Sequence, residues 1–147
     1  MNNPKPTNIR WRVLFITLIL GYIAYVYRSN LSVIGKFLMD DTGISQIELG
    51  WLLSSFIWGY TLFQFPGGLI SEKIGPKTTL VLVTLGSSLI TIITGLIVMG
   101  GFSIALMIPL LFIFRFLLGV FQGPLFPATG GGVIARWFPS GSWALPN

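Results

Sequence analysis

The chain has 147 residues, of which 53% are hydrophobic and only 9% charged, and its mean hydropathy is +0.82. Soluble domains carry roughly 25% charged residues, so this composition leaves a water-soluble fold almost nothing to cover its surface with and points to a polytopic membrane protein. The net charge of +5 does not point to nucleic acid, because most of the basic residues stand singly at the ends of apolar runs, where they orient helices in a bilayer. The absence of cysteine excludes disulfides and thiolate metal sites, and the absence of histidine removes the commonest general base, so no cofactor is expected.

Residues 1–10 read as a short polar tail, with Pro4, Lys5 and Pro6. A first apolar helix is expected over about 11–35. The apolar residues run on to Tyr27 with no small-residue cleavage pattern after them, which favours a retained helix over a signal peptide. Ser45 and Glu48 form a Ser-x-x-Glu capping box before the second apolar run, so a second helix is expected over about 46–70. The stretch Gly67–Lys77 packs one carboxylate, two ammonium groups, three glycines and a proline between apolar segments and reads as a polar turn, with Pro76 suited to the start of a third helix over about 78–99. After a tight Gly100–Gly101 connection, a fourth helix is expected over about 105–135, kinked at its prolines. Each segment reaches the ~20 residues needed to cross ~30 Å of hydrocarbon, so the expected fold is all-α, four transmembrane helices in an up-down bundle over 11–139, followed by a tail at 140–147.

Charge orients the bundle. Lys5, Arg10, Arg12, Lys73, Lys77 and Arg136 fall on one side and Lys36 alone on the other, which by the positive-inside rule makes both termini and the Gly67–Lys77 turn cytoplasmic, in a cell membrane (the inner one in a bacterium).

Two arginines lie within apolar segments. Arg28 shares a small and polar helical stripe with Gly21, Tyr25, Ser32 and Gly35, which favours an interior position over snorkelling. Arg115 sits deeper and aligns with Gly119, Gln122, Phe126 and Thr129. Gly119 and Gly123 are a small-xxx-small pair suited to close helix packing. Tyr60 and Gln64 share a face with Phe56 on the second helix, and a buried structural hydrogen bond is the simpler role for Gln64. All four acids, Asp40, Asp41, Glu48 and Glu72, stand at or beyond the ends of the apolar segments. No nucleophile elbow, phosphate loop or carboxylate dyad is present, so the chain is read as a non-enzyme, and buried arginines without buried acids describe an anion site.

With these residues in view, the pattern Gly68-x-x-x-Glu72-Lys73-x-Gly75-x-Lys77 resembles the loop signature between helices two and three of the major facilitator superfamily. Arg28-Ser29-Asn30-Leu31-Ser32, the helix-two run from Phe56 through Gly59-Tyr60, Gln64 and Pro66 to Gly68, the Arg115–Gly119 and Gly123–Ala128 segments, and the closing Arg136-Trp137-Phe138-Pro139 are similar to its anion:cation symporter branch, over about residues 10–139. The resemblance implies helices one to four of a twelve-helix transporter, with Arg28, Tyr60, Arg115 and Tyr25 contacting a small organic anion. It further implies that Gly68, Glu72, Lys73, Gly75 and Lys77 form a cytoplasmic gating loop, and Glu72 and Arg136 are expected to meet there because helices two and four end on the same face. The partners are then the anion, the lipid bilayer and the C-terminal helices of the same transporter, with no nucleic acid. Two departures stand out: Tyr27 and Gln122 occupy the places of the family's two proton-carrying acids. A phenol and a carboxamide do not exchange protons near neutral pH, so the usual proton coupling is expected to be lost or relocated. Because four helices are a third of that fold, the expectation is a truncated or fragmentary form. The alternative is a four-helix module acting by helix–helix association through Gly119 and Gly123.

Overall fold

The computed structural model describes residues 9–137, so the polar tail through Asn8 and the stretch 138–147 lie outside the described residues. Four long helices, each antiparallel to the next, make up the bundle: α1 (Ile9–Thr42), α2 (Gln46–Ile74), α3 (Pro76–Met99) and α4 (Ile104–Gln122), the last continued by a short α5 (Leu125–Pro127), a π-helical segment (Ala128–Ile134) and a final turn α6 (Ala135–Trp137). Among the described residues, three helical runs are long and apolar enough to cross a membrane: Ile9–Thr42, Pro76–Met99 and Ile104–Trp137. At 29 residues α2 has the length. Its apolarity is diluted by Gly50, Ser54, Ser55, Gly59, Tyr60, Thr61 and Gln64, several of which serve packing inside the bundle.

Local chemistry explains the boundaries. Ser45 caps α2, its hydroxyl accepting the Glu48 N–H at 3.2 Å while the Glu48 carboxylate accepts the Ser45 N–H at 2.8 Å, which satisfies two of the orphan donors of the helix start. α1 continues past Gly35, where the expected first helix ends, to Thr42. Leu38 stays in helical register and is buried in the core, and the chain leaves the helix only at Gly43, whose φ of +72° an L side chain rarely adopts. Likewise the polar stretch Gly67–Lys77 is not an extended turn. α2 runs through it to Ile74, α3 begins at Pro76, and Gly75 alone breaks the helix with φ +87°. Charge there marks an amphipathic helix end, with Glu72, Lys73 and Lys77 exposed.

The expected kink in α4 is a change of helix type. Pro124 and Pro127 bring no N–H to the ladder. The chain re-registers by widening, and the N–H of Ala135 donates to Gly130 O in the i→i−5 pattern of a π-helix. In consequence Phe126 and Thr129 do not extend the Arg115 stripe. Arg115, Gly119 and Gln122 are buried, whereas Phe126 is exposed and Thr129 half-buried.

α2 and α4 form the tightest pair. A Cβ on Gly123 would stand 2.8 Å from the Phe63 carbonyl carbon, and one on Gly67 2.5 Å from the Pro124 ring. Gly119 and Gly123 are thus consumed inside the chain by α2 and are not free contact surfaces for another molecule, which removes the structural basis of the association-module alternative. The core runs along the bundle, with Leu31, Leu38, Leu52, Met107 and Leu111 towards the α1–α2 connection, Phe56, Ile90 and Leu118 in the middle, and Leu80, Ala128 and Val133 towards the α2–α3 junction.

Candidate functional site

Arg115 lies in the middle layer, beside Leu118, and is only 2% exposed. Its guanidinium reaches α1, donating from Nη1 to the carbonyl of Tyr27 and from Nη2 to that of Arg28, both at 3.3 Å. These are long contacts to neutral acceptors, and Nε is buried without a partner. Among the described residues no carboxylate pairs with it, since the four acids lie at the helix ends.

Arg28 is exposed on the α1 face that the four described helices leave uncovered, which departs from the interior position its stripe suggested. The guanidinium carbon lies 5.2 Å from the centre of the Phe56 ring, a cation–π contact. Phe56 in turn stacks on Tyr60 at 5.9 Å with 21° between the rings, and Tyr60 is half-buried. Arg28, Phe56, Tyr60 and Arg115 therefore form one connected group across α1, α2 and α4. Tyr25 is 65% exposed, one turn from Arg28 on the same open face, and belongs to this group only through α1.

The two altered positions are both engaged. The Tyr27 hydroxyl and Ser88 Oγ of α3 share a hydrogen bond at 2.8 Å. Gln122, 3% exposed, donates from Nε2 to the Ala24 carbonyl at 3.2 Å. The sequence does not mark Phe56 as the bridge between Arg28 and Tyr60, nor Ser88 as the partner of Tyr27. The paired serines 87 and 88 within an apolar helix were the available signal for the second. Gln64 does not make the buried structural hydrogen bond expected of it. It is half-buried and lines a cavity of about 410 Å³ with Thr61, Gly68, Glu72 and Phe126.

At the α2–α3 junction, Gly75, Pro76 and Lys77 line a larger, mostly apolar cavity of about 820 Å³ together with α1 and Arg136. Glu72 and Arg136 thus border different cavities, and no hydrogen bond or ion pair joins them. Gly68 rests on the Pro127 ring, 3.4 Å from where its Cβ would be, and Lys73 points outward at the end of α2.

A bundle of long apolar helices around a buried guanidinium, with its acids at the ends, has the make-up of a multi-pass membrane protein. Residues 13–145 match the Major Facilitator Superfamily, and the chain belongs to that family. It is 38% identical over 136 residues to a probable galactarate/D-glucarate transporter of Bacillus subtilis (strain 168), covering 92% of this chain and 29% of that protein. To the D-galactonate transporter of Escherichia coli O6:H1 it is 34% identical over 139 residues, 95% of this chain and 30% of the relative. To the hexuronate transporter of Bacillus subtilis it is 35% identical over 127 residues, 86% and 28%. The chain spans just under a third of these relatives, all named as transporters and none as an enzyme.

Proposed function

We propose that this chain is part of a secondary transporter that carries a small organic anion, of the sugar-acid class its relatives are named for, across a cell membrane. The observation that carries the reading is Arg115. A guanidinium within a membrane helix costs about 2.5–3.5 kcal/mol even on insertion scales and is kept where a partner or a cavity repays it. Here its partners are two neutral carbonyls at 3.3 Å, and its Nε has none. A carboxylate would supply the missing countercharge through the guanidinium fork. Arg28, whose carbonyl Arg115 holds, Tyr60, linked to the Arg28 guanidinium through Phe56, and Tyr25 on the same face of α1 would complete this half of the site.

The second half of such a site comes from helices outside this chain, against the open face of α1. Arg10 and Arg12 at the start of α1, Lys73 at the end of α2, Lys77 at the start of α3 and Arg136 in α6 favour, by the positive-inside rule, a cytoplasmic side for that end of the bundle and for both termini. There Gly68, Glu72, Lys73, Gly75 and Lys77 act in gating, not as a loop but as a helix end hinged at Gly75. With Tyr27 and Gln122 both committed to neutral hydrogen bonds, neither takes up a driving proton.

Uptake of labelled galactarate, D-glucarate, galactonate and hexuronates by cells expressing the full-length protein tests this. Saturable uptake of at least one, abolished in Arg115→Gln, is the expected result. Uptake of none of them would overturn the substrate class. Transport tightly coupled to inward protons would sink the statement about Tyr27 and Gln122.

A further inference from the structure

α4 holds α1 in an unusual way. Among the described residues, each polar contact between them runs from an α4 side chain to the α1 main chain: Gln122 to the carbonyl of Ala24, Arg115 to those of Tyr27 and Arg28. The rest of α1 is loosely seated. Of its 34 residues only Thr17, Ala24, Leu31, Gly35 and Leu38 are buried. The stretch of α1 between residues 24 and 28 carries Tyr25 and Arg28 on its outer face, so whatever fixes that stretch also fixes where the two candidate ligands stand relative to Arg115.

We propose that Gln122 is a positioning residue: its carboxamide pins Ala24 to α4 and so sets the spacing between Arg28 and Arg115. The chemistry asks for a donor at this place. A carbonyl only accepts, and a carboxylate only accepts, so an ionised acid here would be repelled from Ala24, while a protonated acid or an amide can donate. The amide makes the pin independent of pH. The charged and titratable groups nearest it along the elements packed around it are Arg115 on α4, Arg28 and the phenols of Tyr22, Tyr25 and Tyr27 on α1, and the Tyr60 phenol on α2. Arg10, Arg12, Lys36, Asp40 and Asp41 of α1 and Glu48, Glu72 and Lys73 of α2 stand towards the helix ends. On α3 the neighbouring groups are the hydroxyls of Ser87 and Ser88, and its Lys77 lies at the far end.

The consequence for affinity rests on the anion reading of Arg28 and Arg115; the pin itself does not. Two readouts separate them. Because the chain has no cysteine, nitroxides can be placed at Tyr22→Cys and Phe126→Cys, both exposed and flanking the pin, and their separation measured in lipid nanodiscs. With Gln122→Met, similar in length but without a donor, the distance distribution should broaden or lengthen at every pH. With Gln122→Glu it should match wild type at the acid end of a titration, where the protonated carboxyl donates, and change towards the alkaline end, where the carboxylate only accepts. An unchanged distribution in Gln122→Met, or one indifferent to pH in Gln122→Glu, overturns the pin. In uptake assays of the full-length protein the same variants should weaken anion affinity about tenfold, the worth of one hydrogen bond, at all pH for Gln122→Met and only on the alkaline side for Gln122→Glu. Altered distances with wild-type affinity would overturn the positioning role. Absence of uptake by the wild type would sink the transport reading while the distances still decide the pin.

Discussion

Gly59 of α2 and Gly119 of α4 rest on one another's backbones. A Cβ on Gly59 would run into the carbonyl of Phe116, and one on Gly119 into the carbonyl of Phe56. This approach seats Phe56 and Tyr60 at the height of Arg115, so the tightest packing in the bundle lies directly behind the candidate site. Main chain cannot step aside as the tip of a flexible side chain can. Gly59→Ala or Gly119→Ala should therefore destabilise the fold by about 1–3 kcal/mol, towards the upper end of the overpacking range. The control is Gly95→Ala, where a new Cβ meets nothing within 4 Å and helix propensity alone acts, giving neutral or slightly raised stability. Thermal unfolding in detergent would compare the three. Equal midpoints would show that α2 and α4 are not in backbone contact.

Gly75 isolates backbone strain from packing. Its φ of 87° and ψ of 149° lie in a region that is essentially glycine's alone, and a Cβ there would find open space. Gly75→Ala should cost on the order of 1–3 kcal/mol with no clash to relieve. Gly75→Asn should do no better, because asparagine tolerates the left-handed helical region but not this ψ. If Asn rescues where Ala does not, the junction has the ordinary left-handed geometry instead.

These junctions also show what was legible in the sequence. Ser45, Glu48 and Pro76 mark helix starts because capping is local chemistry within a few residues, and the apolar runs mark four helices because the bilayer demands them. Helix ends were harder to read. Charge at Asp40, Glu72 and Lys73 looked like loop, yet a helix that overshoots the hydrocarbon by two turns carries the same composition, and only the glycine with positive φ tells where it stops. The π-segment at 128–134 was read as a kink, since Pro124 and Pro127 announce a lost donor but not how the chain re-registers around it. At the site, the ionisable residues were found by their cost in an apolar run. What Arg115 and Gln122 touch was not, because a backbone carbonyl has no signature in a sequence. The exposure of Arg28 likewise depends on which helices stand beside α1.

The Tyr27–Ser88 hydrogen bond, at 2.8 Å, links α1 to α3. Tyr27→Phe leaves Ser88 without it and keeps the ring in place. Interhelical hydrogen bonds in membranes average about 0.6 kcal/mol and reach about 1.7, so a loss in that range is expected. Tyr27→Phe combined with Ser88→Ala should cost little more than either alone, which a double-mutant cycle would read as a coupling of the same size. Additive losses would show that the two hydroxyls do not meet.

Arg115 gives the sharpest discrimination, because its two roles move stability and affinity in different directions. As a clamp it offers α1 two weak donors; as an anion partner it offers a charge that the folded chain must keep buried. Removing a buried charge with nothing to pair it is commonly neutral or stabilising, since the desolvation penalty goes with it. Gln keeps a donor, on a shorter stem, and removes the charge. Arg115→Gln should therefore leave the unfolding midpoint unchanged or raised, while sugar-acid affinity in the full-length protein falls by the 2–5 kcal/mol typical of breaking a buried charge pair, roughly 30-fold to several thousand-fold. Arg115→Lys keeps the charge and loses the fork, so an intermediate loss of about tenfold is expected, with KM raised more than kcat is lowered. A variant that loses stability in proportion to activity would make Arg115 a helix clamp only. Separate measurement of the unfolding midpoint and of KM on Arg115→Gln, Arg115→Lys and wild type decides between the two.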